Sequence, residues 1–261
     1  MIIKRLFQLR DSLFLFIFTH QKLIWNRSKM LKYSLLFLLI VTTFVSAQIM
    51  KPEKFSGIID LEVGYDYLAY LPDGYDDTSK NFPLLIFLHG SGERGNDLEK
   101  VKIHGVPKHI EKGEKFPFIV IAPQCKPKQW WKGHELVALL DHLELKYRVD
   151  KSRIYVTGLS MGGFGTWSMA LEAPNRIAAI IPVCGGGLPH RICETGGVPV
   201  WAFHGDQDFV VPLSESERMI EASKKCGIEA TLTIYKGVNH NSWDATYANP
   251  EIYEWLLKHK R

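Results

Sequence analysis

The chain has 261 residues, of which 46% are hydrophobic and 23% are charged, a balance typical of one globular domain with a sizeable core. Its formal net charge of +4 is concentrated at the N-terminus, because residues 1–47 carry seven basic residues and one acidic residue. The remainder has 25 basic and 27 acidic side chains, and this absence of a basic stripe argues against nucleic-acid binding.

The first 47 residues have the composition of an export signal. A short basic stretch follows Met30, residues 34–44 are strongly apolar, and small residues end at Ala47, as they do at a signal-peptide cleavage site. We therefore expect translation to start at Met30 and the leader to be removed between Ala47 and Gln48. A single membrane anchor is the alternative, because the apolar run is close to the lower length limit for spanning a bilayer.

This interpretation divides the chain into two parts. Residues 1–47 are an upstream extension (1–29) and a signal peptide, and residues 48–261 are the folded, functional domain. After cleavage we expect a secreted or periplasmic protein without stable membrane association. The sequence leaves the oligomeric state open.

Segments typical of strands and of helices alternate after residue 60. The predicted strands are residues 67–71, 83–88, 118–122, 154–156, 177–183, 198–203 and 231–235. The predicted helices are residues 136–147, 165–171, 215–225 and 251–260. This alternation predicts an α/β fold, with a mostly parallel, doubly wound sheet and helices on both faces. In such sheets the functional site lies beyond the carboxyl ends of the strands, so residues that follow each strand are the candidates.

A glycine-rich loop follows the second predicted strand. Its sequence is His-Gly-Ser-Gly-Glu-Arg-Gly over residues 89–95. A loop of this kind can present a free backbone N–H to an oxyanion, and we assign that role to Ser91. An ordinary tight loop is the alternative.

Two adjacent tryptophans, Trp130 and Trp131, lie in the loop after the third predicted strand. An aromatic platform for an acyl chain or a sugar is one interpretation, and packing within the loop or the core is the other. Near them, His134-Glu135 begins like a zinc-protease motif, but its fifth position is Ala138 where that motif requires histidine. The sequence therefore predicts neither a metal nor another cofactor.

The motif Gly158-Leu-Ser-Met-Gly162 follows the fourth predicted strand and precedes a helical segment. This context is that of a nucleophile elbow, a sharp turn that lifts a serine hydroxyl clear of the backbone. Flanking glycines remove side chains that would crowd the turn. Ser160 is therefore the predicted nucleophile, and the Met161 N–H at the start of the helix is the second predicted oxyanion donor.

The chain contains four cysteines, Cys125, Cys184, Cys193 and Cys226. In an exported protein they can form up to two disulfides with three possible connectivities. Cys184 and Cys193 flank a run of three glycines and are close enough in sequence to close a small loop. Buried free thiols are the alternative, and the pairing stays open at this point.

Two aspartates follow the sixth predicted strand, in His204-Gly-Asp-Gln-Asp208. An acid at this position would orient a catalytic histidine. We favour Asp208, because the apolar residues after it would anchor its loop, whereas Asp206 beside a glycine would shape the turn.

The catalytic histidine is reached by elimination. The chain order in this architecture is serine, acid, histidine, and only His240 and His259 follow Asp208. His259 belongs to a terminal segment rich in basic residues and is expected at the surface. His240 follows the last predicted strand and is the predicted general base for Ser160.

Together these motifs resemble the α/β-hydrolase family, in the branch of secreted phospholipase/carboxylesterase-like, dienelactone-hydrolase-like and polyhydroxybutyrate-depolymerase-like serine esterases. The resemblance extends over nearly all of the chain after residue 47, and its motifs occur in the family's order. These motifs are residues 88–95, 158–163, 204–208 with Val211-Pro212, and Asn239-His240 with Trp243.

The resemblance implies a Ser160–His240–Asp208 triad and ester hydrolysis through an acyl-enzyme, without a cofactor. It also favours Asp208 over Asp206, because the family's acid occupies the later position of that motif. One departure is that dienelactone hydrolases proper use a cysteine nucleophile, so Ser160 excludes a strict match to that subfamily.

The leading hypothesis is a secreted carboxylic ester hydrolase without a cap domain, because only about fourteen residues separate the fifth and sixth predicted strands. An open site suits short-chain esters, or acetyl and feruloyl esters linked to polysaccharides. The alternative is a serine peptidase of the prolyl-oligopeptidase type, although such enzymes need a large upstream propeller domain. A third hypothesis is a non-catalytic binding protein on the same fold, against which the intact triad argues.

Overall fold

The computed structural model describes residue 54 and residues 62–261. The predicted leader of residues 1–47 and its cleavage site lie outside the described residues. Within residues 62–261 the chain forms a seven-stranded sheet. Its strands are β1 (Tyr67–Tyr70), β2 (Phe82–Leu88), β3 (Ile119–Pro123), β4 (Val149–Leu159), β5 (Ala179–Val183), β6 (Val200–Gly205) and β7 (Ala230–Tyr235).

The strands lie in the order β1-β3-β2-β4-β5-β6-β7. β1 is antiparallel to β3, and all other neighbouring strands are parallel. The carboxyl ends of β2, β4, β5, β6 and β7 therefore meet at one edge of the sheet. This edge is where the sequence places its candidate catalytic residues.

Helices cover both faces of the sheet. They are α1 (Gly105–Glu111), α2 (Gly133–Lys146), α3 (Met161–Glu172), α4 (Ser214–Lys225), α5 (Trp243–Ala248) and α6 (Glu251–Lys258). One core lies between the sheet and α2, α3 and α4, and the other between the sheet and α1, α5 and α6. No helix in residues 62–261 is long and apolar enough to cross a bilayer. The doubly wound α/β fold predicted from the sequence is thus confirmed.

The sequence of strand β2 is an almost unbroken apolar run because both faces of the strand are covered. Leu84, Ile86 and Leu88 belong to the core on one face, and Leu85 and Phe87 belong to the core on the other. All five side chains are completely buried. Burial of side chains of this size contributes about 1.5–3 kcal/mol each, so a strand covered on both faces has no position for a polar residue.

Two helices, α1 and α5, are absent from the sequence prediction. They contain seven and six residues, which is too short for the apolar spacing of a helix to repeat. Helix α1 also starts at Gly105, which has a φ of 64°, and contains Pro107 in its first turn, where proline is tolerated. Strand β4 extends beyond the predicted residues 154–156 at both ends. Residues 150–153 are polar and not buried, so they show no apolar run, and residues 157–159 are buried but include Thr157 and Gly158.

The connection between β5 and β6 is short, as the sequence predicts. Residues 184–199, all of which the structure describes, contain one 3₁₀ helix at Pro189–Thr195. No cap domain is therefore inserted between these two strands. Nothing in this connection would enclose the carboxyl edge of the sheet.

A disulfide joins Cys193 to Cys226 and closes a loop across 33 residues. It ties the 3₁₀ helix after β5 to the end of α4. The Cys184–Cys193 bridge considered from the sequence is therefore wrong. Cys184 and Cys125 are buried free thiols. The Cys184 backbone N–H donates to the Phe203 carbonyl at 2.8 Å, which holds this residue at the end of the sheet.

Candidate active site

Ser160 occupies a strained turn between β4 and α3. Its backbone has φ 52° and ψ −116°, a positive φ that costs free energy in a residue with a side chain. The Ser160 N–H donates to the Val183 carbonyl of β5 at 2.9 Å. This hydrogen bond fixes the turn at the carboxyl edge, where the hydroxyl is partly exposed.

The glycines around Ser160 are required by close backbone contacts. A Cβ atom on Gly158 would lie 2.4 Å from the carbonyl oxygen of Gly162. A Cβ atom on Gly162 would lie 1.9 Å from the carbonyl oxygen of Leu88 in β2. Since both contacts are with backbone atoms, a side chain at either position would force the elbow away from the sheet.

Ser160, His240 and Asp208 form a continuous hydrogen-bonded chain. His240 Nε2 lies 2.9 Å from Ser160 Oγ, and His240 Nδ1 lies 2.7 Å from Asp208 Oδ2. A carboxylate only accepts hydrogen bonds, so Nδ1 carries the proton and Nε2 is free to accept the proton of the serine hydroxyl. The structure therefore brings together the three side chains selected from the sequence.

The Asp208 carboxylate is held in place from two sides. Its Oδ1 accepts hydrogen bonds from the backbone N–H groups of Val210 and Val211, both at 2.9 Å. Burial alone would raise the pKa of this carboxyl, but the hydrogen bond from His240 and those two N–H groups outweigh it and keep the pKa below its usual value. Asp208 is therefore ionised and faces His240 at neutral pH.

Asp206 has a different role in the same loop. Its Oδ1 accepts a hydrogen bond from the Gly237 N–H at 2.7 Å, which joins the turn after β6 to the turn after β7. The structure brings Asp208, and not Asp206, to His240. The reason given for Asp208 from the sequence was nevertheless wrong, because Phe209 is 88% exposed and hydrogen bonds, not apolar contacts, anchor the loop.

The two predicted oxyanion donors are the first residues of helices. Met161 begins α3 and Ser91 begins a 3₁₀ helix at Ser91–Glu93, so neither N–H has an acceptor within its own helix. Gly90 lies against the end of β4, where a Cβ atom on it would be 2.8 Å from Leu159 Cδ1. The loop that carries Ser91 is therefore packed beside Leu159, the residue that precedes Ser160.

His89 anchors this loop, a role that the sequence analysis did not assign. The ring is buried, its Nε2 accepts the Cys125 N–H at 2.9 Å, and its Nδ1 lies 2.6 Å from the Gly90 carbonyl oxygen. Because Nε2 is an acceptor, Nδ1 carries the proton and donates it to that carbonyl. Burial lowers the pKa of His89 to about 4, against a smaller opposing contribution from this hydrogen bond, so the ring is neutral.

The neutral state of His89 predicts a loss of stability in acid. In the unfolded chain this histidine has a pKa near 6.5, whereas in the folded chain its pKa is about 4. Between these two pH values the unfolded chain binds a proton that the folded chain does not, so protonation favours unfolding. We expect the free energy of unfolding to fall by about 2–3 kcal/mol from this group between pH 7.5 and 4.5. Urea unfolding of the wild type and of His89→Asn at both pH values measures it, with a smaller decrease expected in the variant. Equal decreases in the two proteins would contradict this assignment.

The two tryptophans have different environments. Trp131 is 6% exposed, its Nε1 donates to the His89 carbonyl at 3.0 Å, and its ring meets the His89 ring edge-on. A platform that includes Trp131 is therefore wrong, since this indole packs in the core against the His89 ring. Trp130 is 55% exposed and lies against Phe164, whose N–H donates to the Ser160 carbonyl at 3.2 Å. Trp130 alone remains a candidate for substrate contact.

Comparisons with known proteins show which family and fold the chain is similar to. A family model called Esterase matches residues 46–185, and one called Phospholipase/Carboxylesterase matches residues 132–255. The crystal structure of a thermostable esterase has 32% sequence identity and a TM-score of 0.64, over 75% of this chain and 59% of that one. A feruloyl esterase module from Clostridium thermocellum is similar in fold, with a TM-score of 0.56 at 20% identity over 73% of this chain and 81% of that one.

Curated relatives include esterases from fungi. A bifunctional acetylxylan esterase/xylanase of Neocallimastix patriciarum is 26% identical over 60% of this chain, and feruloyl esterase C of Emericella nidulans is 28% identical over 58%. The chain spans 23% and 57% of the length of these two relatives. Because the Esterase model covers more than half of the chain, the protein belongs to the Esterase family and has the α/β-hydrolase fold.

Proposed function

We propose that the protein is a serine carboxylic ester hydrolase in which Ser160, His240 and Asp208 form the catalytic triad. The observation that carries this proposal is the hydrogen-bonded chain from Asp208 Oδ2 through His240 to Ser160 Oγ, with contacts of 2.7 and 2.9 Å. The strained backbone of Ser160 and the free N–H at the start of α3 support the same assignment.

In the first half of the proposed reaction, His240 Nε2 takes the proton of Ser160 as Oγ attacks the carbonyl carbon of the ester. The carbonyl π electrons move to the oxygen, which receives hydrogen bonds from the N–H groups of Ser91 and Met161. When this tetrahedral intermediate collapses, the bond to the alcohol oxygen breaks and His240 donates the proton to it. The acyl group is left on Ser160.

In the second half, water attacks the acyl-enzyme in the same way. His240 takes a proton from the water as its oxygen bonds to the acyl carbon, and returns it to Ser160 Oγ when the acid leaves. Asp208 stays ionised throughout and stabilises the charged His240 ring. The low pKa of its carboxyl suits this part of the mechanism.

The proposed substrates are acetyl or feruloyl esters linked to polysaccharides, or other short-chain esters. Two of the relatives are named for acetylxylan and feruloyl ester hydrolysis. The short connection between β5 and β6 supports an open site that a bulky polymer can approach, and the exposed Trp130 supplies an apolar surface beside it. The disulfide supports export to an oxidising compartment, as proposed from the leader.

A substrate panel tests this proposal against the peptidase alternative. The panel comprises p-nitrophenyl acetate, butyrate and octanoate, methyl ferulate, acetylated and feruloylated xylo-oligosaccharides, and a peptide p-nitroanilide. We expect the highest kcat/KM on one of the saccharide esters and a decrease with acyl length in the p-nitrophenyl series. Faster cleavage of the anilide than of every ester would favour a peptidase, and failure to react with a fluorophosphonate would favour a binding protein.

A further inference from the structure

A second histidine, His204, contacts the Asp208 carboxylate. It is the penultimate residue of β6 and is completely buried. Its Nε2 lies 2.9 Å from the Val211 carbonyl oxygen and 3.2 Å from Asp208 Oδ2. Its Nδ1 lies 2.8 Å from Ser216 Oγ in α4. Both ring nitrogens of this histidine thus have polar partners within the protein.

The partners of His204 determine where its proton lies. A carbonyl oxygen and a carboxylate oxygen only accept hydrogen bonds, so Nε2 must carry a proton. This N–H donates to the Val211 carbonyl, and its positive end lies beside Asp208 Oδ2. On the other side of the ring, Ser216 Oγ is held by its own contact with the Gly185 carbonyl oxygen at 3.0 Å. The ring is therefore fixed at both nitrogens.

We propose that His204 is a positioning residue for the reaction, which acts by holding the Asp208 carboxylate in the orientation that His240 requires. It does so in two ways. First, His204 donates to the carbonyl of Val211, and the backbone N–H of Val211 donates to Asp208 Oδ1. Second, the Nε2–H of His204 lies beside Asp208 Oδ2, which is the oxygen that accepts the hydrogen bond from His240. The Asp208 carboxylate is thus enclosed by two backbone N–H groups and two imidazole rings.

The position of His204 in the sheet makes this arrangement rigid. His204 pairs with Ile234 and Gly205 pairs with Tyr235 between β6 and β7, so the imidazole belongs to a regular strand. Asp208, in contrast, lies in a loop whose neighbouring side chains, Phe209 and Val210, are exposed. Without the contact to His204, the Val211 end of this loop would lose a connection to the sheet.

The test compares two substitutions that keep one ring contact each. The side-chain amide nitrogen of asparagine corresponds to Nδ1 of histidine, and that of glutamine reaches the position of Nε2. We expect His204→Asn to lower kcat on p-nitrophenyl acetate on the order of 10- to 100-fold, because a small displacement of a catalytic group has an effect of this size. We expect KM to change less than about threefold, and His204→Gln to recover most of kcat.

A double-mutant cycle distinguishes positioning from a general structural role. If His204 acts through Asp208, then adding His204→Asn to Asp208→Asn should lower kcat by less than about threefold further. The exposed His142 on α2 provides the matched control, since His142→Asn should leave kcat unchanged. An equal loss in both backgrounds, or a kcat for folded His204→Asn within about threefold of wild type, would overturn the inference.

This inference rests on the proposed function, and the two can fail separately. If Ser160→Ala retained full activity, the triad itself would be wrong, whereas an inactive Ser160→Ala with an unaffected His204→Asn would reject only the role of His204. Should His204→Asn not fold, Ser216→Ala keeps the imidazole and removes its Nδ1 partner. A severalfold lower kcat is expected there, and an unchanged kcat would overturn the inference.

Discussion

Ser160→Ala is expected to lower the turnover of p-nitrophenyl acetate on the order of 10⁶-fold, as loss of the nucleophile does in other serine hydrolases. The physical reason is that no other hydroxyl contacts His240 in the described structure; its Nε2 faces Ser160 Oγ alone. The fold should persist, because the substitution only removes the hydroxyl oxygen and the elbow is held by backbone contacts. Initial rates and thermal unfolding of both proteins measure the two effects.

An exposed serine supplies the control for this experiment. Ser79→Ala removes a hydroxyl that bonds only to Asp77 at the surface, so its turnover should equal that of the wild type. A fluorophosphonate should label the wild type and Ser79→Ala but not Ser160→Ala. Activity of Ser160→Ala within about tenfold of wild type would remove Ser160 from the mechanism.

Asp208→Asn is expected to lower turnover by roughly 10⁴-fold. The amide oxygen of the new side chain should take the position of Oδ1, because two backbone N–H groups point at it. The amide NH₂ then faces His240 Nδ1 and donates to it. This forces the His240 proton onto Nε2, where it blocks proton transfer from Ser160.

The neighbouring aspartate provides the matched comparison. Asp206→Asn keeps an oxygen that can accept the Gly237 N–H and does not touch His240, so turnover should stay within about threefold of the wild type. Both variants are measured on one activated ester after circular dichroism confirms that they fold. An inactive Asp206→Asn beside an active Asp208→Asn would reassign the acid but leave the hydrolase proposal intact.

The fold was largely predictable because its central strands are buried on both faces. Strands such as β2 and β5 contain almost only apolar residues, and the helices between them carry apolar residues at helical spacing, so their order follows from the chain. The short helices α1 and α5 give no such pattern. Their positions depend on contacts with the rest of the protein, in which Gly105 and Tyr247 fit against the Phe87 ring of β2.

The candidate site was predictable where its residues follow a strand. Ser160, Asp208 and His240 were selected on this basis together with chain order, and the structure places them in contact, while their catalytic roles stay predictions. The supporting histidines His89 and His204 could not be assigned, because each depends on partners that only the folded chain brings to it. The Cys125 N–H reaches His89 from the loop after β3, and Ser216 of α4 and the Val211 carbonyl reach His204. Both histidines are followed by glycine where a strand ends, in His89-Gly90 and His204-Gly205. This shared pattern was the only indication in the sequence that the two histidines have similar roles.

The tryptophan pair shows the limit of sequence analysis in loops. Trp130 and Trp131 are adjacent and chemically identical, yet Trp130 is exposed and Trp131 is buried. A strand or a helix would have given each residue a predictable side, but the loop after β3 has no such period. The hydrogen bond to the His89 carbonyl and the contact with the His89 ring hold Trp131 in the core, whereas Trp130 lies against Phe164.

The order of the strands has a consequence for how the protein acquires activity. Ser91, Ser160, Asp208 and His240, to which we assign the catalytic roles, follow β2, β4, β6 and β7. These residues therefore meet only after parallel pairing has spread across most of the sheet. Parallel pairing joins segments that are distant along the chain and therefore forms slowly. Recovery of ester hydrolysis after denaturation should report the completed tertiary structure, whereas circular dichroism would also register partly assembled chains whose helices have already formed.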